Sequence, residues 1–134
     1  MLTLYEGRPT DEAGRLDKER RTYDLLDACG VIYQRVDHRP AMDMEACVEI
    51  DQVLTGMICK NLFLCDRHER EFYLLMIPGD KRFQTKELSA RLGTTRLSFA
   101  DEAHMAQLLD LTPGSVSVMG LMNDTDHRVQ LIID

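Results

Sequence analysis

The chain has 134 residues, a length typical of one domain that can bury a core without disulfides or metals. Hydrophobic residues make up 44% and charged residues 29% of it, a composition that indicates a soluble globular protein and excludes a disordered one. The net charge of −7 argues against broad, non-specific nucleic-acid binding, which depends on neutralising phosphates, so any RNA contact should be local.

The sequence gives no sign of a metal centre, a disulfide framework or a membrane segment. None of the four cysteines forms a C-x-x-C pair or has a histidine at zinc-ligand spacing. The apolar stretches, such as residues 72–77, are too short to span a bilayer. Residues 1–8 lack the basic and apolar segments of a secretory signal. We therefore expect a cytoplasmic protein with no metal, no cofactor and no membrane association.

Residues 1–10 have the composition of a loose leader, and residues 11–134 are expected to form the domain itself. The pattern of residues 11–30 predicts a helix that is capped by Thr10 and ends at Gly30. The elements predicted between this helix and the middle of the chain are a strand at 31–37, a turn at 38–40 and a weaker helix at 42–52.

In the second half, two strands joined by a polar loop are the clearest prediction. The predicted elements are strands at 58–65 and 71–77, a helix at 86–92 capped by Thr85 and ending at Gly93, an extended piece at 96–99, a helix from Ser98 and Asp101 to about 109, and strands at 116–122 and 128–133 joined as a hairpin by 123–127. Hairpins mixed with helices indicate an α+β domain with a mixed, mostly antiparallel sheet flanked by helices.

Lys60 and Asn61 are anomalous because they stand side by side in an apolar strand. The alternation of a strand puts Lys60 on one face with Leu62 and Leu64, and Asn61 on the other face with Phe63. Buried polar groups need partners, so Lys60 either extends its ammonium to water at the strand end or holds an anionic group in a cleft.

His127 closes the polar connection 123–127 and is either a solvated loop histidine or a residue that holds a substrate or relays a proton. The Asp124-x-Asp126 pair lacks the length, glycine and distal glutamate of an EF-hand. From the residues alone, these features do not assign a function.

Several segments taken in order resemble the freestanding prolyl-tRNA editing proteins of the ProX type, in the YbaK-like superfamily. The resemblance extends from residue 22 to the last residue. The segments that carry it are H-R-P-A at 38–41, K-N-L-F-L at 60–64, K-E-L at 86–88, L-G-T-T-R-L-S-F-A at 92–100, L-D-L-T-P-G-S-V at 109–116 and G-L-M-N-D at 120–124.

The resemblance implies a mixed, strongly curved sheet and hydrolysis of the ester that links alanine to proline tRNA. It implies catalytic roles for Lys60, at the phosphate or ribose of the tRNA 3′ end, for the neighbouring Asn61, and for His127. The residues that it implies for substrate binding are Gly114, Ser115, Gly120, Asn123, Asp124 and His38. The partners implied are the aminoacyl 3′ end of tRNA and prolyl-tRNA synthetase. The oligomeric state is not indicated.

The sequence departs from the family pattern in two places. Ser117-Val118-Met119 precede Gly120 where family members often carry a proline and an aromatic residue. Members also continue beyond the last strand with a G-x-H-P type motif and a final helix, whereas this chain ends at Asp134. If Asp134 is the natural end, part of the site or core is missing; if the chain is a piece of a longer protein, the predicted function is unaffected.

Two alternatives stay open. The first is deacylation of another misacylated tRNA, one that carries cysteine or serine. The second is a non-catalytic module that binds a synthetase or an aminoacyl ligand, which the negative net charge favours.

Overall fold

The computed structural model describes residues 2–40 and 44–134, and the chain divides into two compact units, residues 1–56 and 57–134. The elements of the first unit are β1 (Leu4–Glu6), α1 (Asp17–Ala28), β2 (Gln34–Val36) and α2 (Met44–Val53). The elements of the second are β3 (Cys59–Cys65), β4 (Phe72–Pro78), α3 (Thr85–Leu92), β5 (Ser98–Phe99), α4 (Glu102–Leu109), a 3₁₀ helix (Val118–Asn123) and β6 (Val129–Ile133). None of the helices in the described residues is long and apolar enough to cross a bilayer.

The first unit is built from a two-stranded antiparallel sheet and two helices. β1 pairs with β2, with Tyr5 opposite Arg35. Tyr23 of α1 is buried and stacks on Tyr33, with the ring centroids 6.5 Å apart. Burial and the hydrogen bond to the Glu19 carboxylate raise the pKa of Tyr23 to about 12. Stacked aromatic rings therefore tie α1 to the segment that leads into β2.

The second unit is a four-stranded mixed sheet in the order β5-β3-β4-β6. β3 runs antiparallel to both β4 and β5, whereas β6 runs parallel to β4. Both faces of the central strands are apolar, as expected for strands covered on two sides. One face packs Phe63 and Phe72 against α4, and the other packs Leu64 and Leu75 under α3.

The α+β class with a mixed sheet is confirmed, as are β3, β4, β6 and the end of α3 at Gly93, which adopts φ +65°. The cap of α4 is Asp101, whose side chain accepts the His104 N–H, while Ser98 lies in β5. The predicted start of the second helix at Met42 lies outside the described residues.

The predicted strand at 116–122 is wrong, and with it the hairpin to the last strand. Residues 118–123 form a 3₁₀ helix instead, because the Ser117 hydroxyl accepts the Met119 N–H at its start. Gly120 lies so close to the chain at Leu109 that a Cβ there would be 3.1 Å from the Leu109 carbonyl oxygen. β6 consequently pairs with β4 rather than with residues 116–122.

The predicted start of the first helix at residue 11 is also wrong. The Asp11 carboxylate accepts the Ala13 N–H in a local turn, and Gly14 adopts φ +79°, which is incompatible with a continuous helix. α1 therefore begins at Asp17. Within the segment expected to be a leader, residues 4–6 form β1, while the domain boundaries expected from the sequence stay a prediction.

Candidate functional site

Lys60 lies at the start of β3 and reaches across to the loop that follows β4. Its Cα pairs with that of Ile77, and its side chain is on the face that packs under α3. The Lys60 ammonium donates a hydrogen bond to the backbone carbonyl of Lys81 at 2.7 Å. An ammonium has three donors, so two remain for a ligand after this bond is made.

A pocket of about 250 Å³ opens on the same face, between α3 and the sheet. Its floor is apolar and includes Leu75 and Ile77 of β4, Leu88 of α3 and Ile132 of β6. Phe83, in the loop before α3, adds an aromatic wall. Because Ile77 pairs with Lys60 and Lys81 binds its ammonium, Lys60 lies beside this pocket.

The rim of the pocket carries three cations and two acids. The Lys81 ammonium forms an ion pair with the Asp134 carboxylate. The Arg91 guanidinium lies 3.9 Å from the Glu87 carboxylate, and the side chains of Arg91 and Glu87 are largely exposed. Arg82 is exposed and forms no ion pair with any other described residue. Exposed ion pairs are weak and exchange readily with other charged groups. The rim is therefore positive on balance, within a chain that is strongly acidic.

Asn61 lies on the opposite face of the sheet from Lys60, as the alternation predicts. Its Cα pairs with that of Met76, and the next residue on its face, Phe63, packs towards α4. A long contact of 4.0 Å joins the Cys59 thiol to its side-chain oxygen. Lys60 and Asn61 are therefore adjacent along the chain but do not share a pocket.

His127 lies at the other end of the sheet from Lys60. It precedes β6, where Val129 pairs with Phe72 at the start of β4, whereas Lys60 pairs with Ile77 near the end of β4. Five residues along a strand span roughly 17 Å. His127 is exposed, has φ +54° and donates its backbone N–H to the Asp124 carbonyl. The structure does not bring it to Lys60, and its catalytic role stays a prediction.

Asn123 and Asp124 both bind backbone groups. The Asn123 amide donates to the Leu109 carbonyl at 2.9 Å, at the end of α4. The buried Asp124 carboxylate accepts the backbone N–H groups of Arg128 and Val129 at 3.0 and 2.8 Å. Their geometry explains how the chain turns into β6, and substrate binding by them stays a prediction.

The glycine-bearing segment 114–120 has several of its N–H groups already bonded within the chain. The Ser115 N–H donates to the Thr112 carbonyl. The Met119 N–H donates to the Ser117 hydroxyl, and the Gly120 N–H donates to the Ser117 carbonyl. Gly114 has φ +89°, a conformation that favours glycine. The negatively charged oxygen that forms during ester hydrolysis could accept the N–H groups of Ser115 and Gly120 only by replacing these bonds.

His38 belongs to the first unit, where it lines a separate cavity of about 400 Å³ with neighbours that include Asp37 and Glu49. Its Nδ1 lies 2.6 Å from the Arg39 carbonyl oxygen. The Arg15 guanidinium holds the pKa of Asp37 down to about 2 by hydrogen bonding, with a smaller contribution from Arg35 against the opposing effect of burial. The substrate-binding role expected of His38 stays a prediction.

The described residues also contain one group that could hold a metal ion, formed by Glu69, Asp101 and His104. One ligand atom of each lies within 4.8 Å of the others. The Asp101 carboxylate caps α4, and the backbone and side-chain hydrogen bonds of His104 lower the pKa of that carboxyl. The cluster therefore has a structural explanation as the start of a helix.

Sequence reasoning missed the basic and aromatic rim of the pocket. The signal was present as the adjacent run Lys81-Arg82-Phe83, which follows the turn at 78–80 in an acidic chain. The run falls in a loop, where no periodicity indicates which way a side chain points, so only the fold links it to Lys60.

Comparison with known proteins shows the family to which the chain belongs. Residues 38–134 match the model of a family described as the aminoacyl-tRNA editing domain. The chain is 34% identical over 119 residues to the prolyl-tRNA editing protein ProX of Acetoanaerobium sticklandii, a match that covers 89% of this chain and 73% of that protein. It is 28% identical to the prolyl-tRNA synthetase associated domain-containing protein 1 of Danio rerio, covering 89% of this chain and 64% of that protein.

Among solved structures, the crystal structure of a hypothetical protein matches with a TM-score of 0.65 at 20% identity. The match covers 88% of this chain and 73% of that chain. At this identity the likeness bears on the fold alone.

Proposed function

The chain belongs to the aminoacyl-tRNA editing domain family, and from this premise we propose that it is a deacylase that hydrolyses the ester of alanine wrongly attached to proline tRNA. The 34% identity to a prolyl-tRNA editing protein supports proline tRNA as the substrate. Alanine is the expected error, because a site shaped for proline rejects a smaller side chain by only about 1–3 kcal/mol.

The observation that carries this proposal is the position of the Lys60 ammonium. It donates to the Lys81 carbonyl beside a pocket whose rim is positive on balance, and it keeps two donors for an incoming group. A phosphate oxygen of the tRNA 3′ end is the natural acceptor, because a lysine binds phosphate as a compact point charge. Lys60 therefore anchors the end of the substrate.

The chemistry requires little more than positioning, because an aminoacyl ester is already activated. The enzyme has to fix the 3′ end, place a water and stabilise charge on the carbonyl oxygen. In our proposal Lys60 fixes the 3′ end, and a ribose hydroxyl of the substrate activates the water. Asn61 and His127 are assigned no contact with the same atoms as Lys60, because they lie on another face and at another end of the sheet.

The test is deacylation of alanyl-tRNA for proline, measured beside prolyl-tRNA and beside tRNAs charged with cysteine or serine. Alanyl-tRNA for proline should be deacylated fast, whereas prolyl-tRNA should stay intact. Lys60→Ala should lower kcat/KM by at least about tenfold, because it removes a hydrogen bond between charged groups that is worth about 1.5–3 kcal/mol. Its melting temperature should stay within about 2 °C of the parent, since Lys60 makes one exposed hydrogen bond.

Lys86→Ala is the matched control, because Lys86 is an exposed lysine of the same unit that does not line the pocket. Asn61→Ala and His127→Ala, measured in parallel, test the two remaining predicted catalytic residues. Equal rates for Lys60→Ala and Lys86→Ala would overturn the assignment of Lys60.

A non-catalytic module is the second candidate, and the bonding of segment 114–120 favours it. The N–H groups of Ser115 and Gly120, in the segment that the resemblance implies for substrate binding, already donate within the chain and are not free to stabilise an oxyanion. Such a module would bind the aminoacyl end or a synthetase without turnover. Binding of alanyl-tRNA without release of alanine would favour this candidate over the deacylase.

We also propose prolyl-tRNA synthetase as the partner that brings the tRNA, because a chain with a net charge of −7 attracts RNA poorly by itself. The relative from Danio rerio carries the name prolyl-tRNA synthetase associated domain-containing protein 1. Addition of the synthetase should then lower the KM for alanyl-tRNA without changing kcat.

A further inference from the structure

β6 forms one edge of the four-stranded sheet, and its outer side is open. No strand within residues 2–40 and 44–134 pairs with that side. The Asp134 N–H donates to the Met76 carbonyl of β4 at 3.0 Å. Because the backbone groups of successive residues in a strand point to alternate sides, those of Val129, Leu131 and Ile133 point away from β4. These three residues therefore offer unpaired N–H and C=O groups at the edge.

The sequence of β6 does not protect this edge. Edge strands are commonly blocked by lysine, proline or a bulge, and Val129–Ile133 contains no lysine or proline and pairs with β4 in continuous register. The side chains of Val129, Leu131 and Ile133 share one face of the strand. Leu131 is 37% exposed and Ile133 is 70% exposed. The residues whose backbone points outward thus also carry exposed apolar side chains, which gain free energy when they are covered.

The edge is complementary to a second copy of itself. When two β6 strands pair antiparallel about a two-fold axis at Leu131, Leu131 faces its own copy and Val129 faces Ile133. Every facing pair then joins two outward-pointing residues, so each pair exchanges both of its N–H···O bonds. The apolar side chains of the two copies lie opposite one another on the same face. A shift by one residue would set outward-pointing residues against inward-pointing ones and lose these bonds.

The charges at the two ends of β6 favour the same antiparallel register. It sets Arg128 of one copy opposite Asp134 of the other, whereas a parallel pairing would set like charges side by side. Arg128 is exposed, precedes the first residue of β6 and forms no ion pair with another described residue. Its guanidinium lies 5.2 Å from the centroid of the Phe72 ring. Asp134 pairs with the exposed Lys81, and such a pair exchanges readily.

The net charge of the chain limits when two copies can meet. Two chains of charge −7 repel each other at low salt. At an ionic strength of about 0.15 M this repulsion is screened beyond about 8 Å, while the facing Arg128 and Asp134 side chains lie closer than that. Association therefore requires physiological salt.

We propose that β6 is a self-association surface, on which two copies of this chain pair antiparallel about Leu131 and join their sheets into one. The pairing does not depend on the proposed function. Asp134 lines the pocket between α3 and the sheet, so the pairing brings Arg128 of the second copy to the rim of that pocket. The second copy thereby adds a cation to the rim.

Sedimentation equilibrium of the whole chain at an ionic strength of about 0.15 M tests the proposal. A single strand pair is a small interface, so we expect a dimer with a micromolar dissociation constant. Arg128→Asp sets two carboxylates face to face at both ends and should raise that constant by about tenfold. Arg128→Asp combined with Asp134→Arg should restore it. Arg96→Asp is the matched control, because Arg96 is exposed, lies outside β6 and gives the same change in charge.

Disulfide trapping tests the register. The background variant carries serine in place of the exposed Cys29 and Cys47. In the proposed dimer, the two copies of Leu131→Cys have Cα atoms about 5.5 Å apart, within the range of about 4.4–6.8 Å that a disulfide requires. The two copies of Ile133→Cys lie about 13 Å apart, so oxidation should cross-link the first variant and not the second.

Three results would overturn the proposal. The first is a parent chain that stays monomeric at concentrations up to about 0.5 mM, which would leave the edge to a strand of another protein. The second is a dimer whose dissociation constant responds equally to Arg128→Asp and to Arg96→Asp, since its interface would lie elsewhere. The third is cross-linking of Ile133→Cys without cross-linking of Leu131→Cys.

Discussion

Replacement of Gly79 by alanine should destabilise the second unit, because this glycine lies against the backbone of the neighbouring strand. The Gly79 N–H donates to the Ile58 carbonyl at 3.0 Å, and a Cβ at residue 79 would lie 2.5 Å from that same oxygen. The obstructing atom belongs to the backbone, so no side-chain rotation relieves the contact. The ends of β3 and β4 have to move apart.

The expected cost is about 1–3 kcal/mol, the usual range for an extra methyl group forced into a close-packed position. Unfolding entropy is about 2.1 cal/mol/K per residue, which gives roughly 0.28 kcal/mol/K for a chain of 134 residues. The melting temperature should therefore fall by about 4–11 °C. Lys60 and Lys81 each lie two residues beyond the displaced contact, so deacylation should slow as well.

Thermal unfolding followed by circular dichroism measures this effect. Gly56→Ala is the matched control, since a methyl group at residue 56 would meet none of the described residues within 4 Å and the backbone there does not adopt a positive φ. That variant should be unchanged or stabilised by about 0.4–1 kcal/mol, because alanine restricts the unfolded chain. A Gly79→Ala protein that melts together with the parent would refute the close approach of the two strand ends.

Two further predictions concern the hydrophobic core and the loss of stability at acid pH. Leu109→Ala should cost about 2–5 kcal/mol, because the fully buried Leu109 at the end of α4 packs in the core and against Gly120 of the 3₁₀ helix. Its urea midpoint should fall, whereas that of the control Ile32→Ala, at an exposed residue, should not. The Arg15 guanidinium holds the pKa of Asp37 at about 2, so the contribution of this pair is complete above the ordinary carboxyl pKa of 3.8 and is lost as pH falls through about 2. Asp37→Asn should therefore lower the urea midpoint at neutral pH and flatten its decline between pH 4 and 2, and an equally steep decline would contradict the pairing.

Local sequence signals were sufficient for the centre of the second unit. The runs that form β3 and β4 are apolar on both faces and flank a polar loop, so their pairing follows from composition and order alone. The alternation also assigned Lys60 and Asn61 to opposite faces. These features depend on neighbours in the chain, which a sequence displays directly.

The remaining features depend on contacts between distant residues. The apolar run at 118–123 is compatible with a strand or a helix, and the approach of Gly120 to Leu109 and the Ser117 cap decide for a 3₁₀ helix. The neighbourhood of Lys60 is set by a loop residue, Lys81, for which no periodic pattern exists. The separation of His127 from Lys60 follows only from the parallel register of β6.

The parallel pairing of β4 with β6 also determines the order in which the second unit can form. β3 and β4 are joined by a loop of a few residues, whereas the whole segment from Gly79 to Arg128 separates β4 from β6. A connection about eight times longer costs about 2 kcal/mol more in closure entropy. We therefore expect the β3–β4 hairpin to form early and the docking of β6 to be the slower step, which the folding rates of variants in the two regions would measure. Until that step is complete, Leu74 and Leu75 have an unpaired neighbouring edge, and the apolar floor of the pocket between α3 and the sheet lacks Ile132. On this order of events, the pocket between α3 and the sheet is among the last parts of the second unit to form.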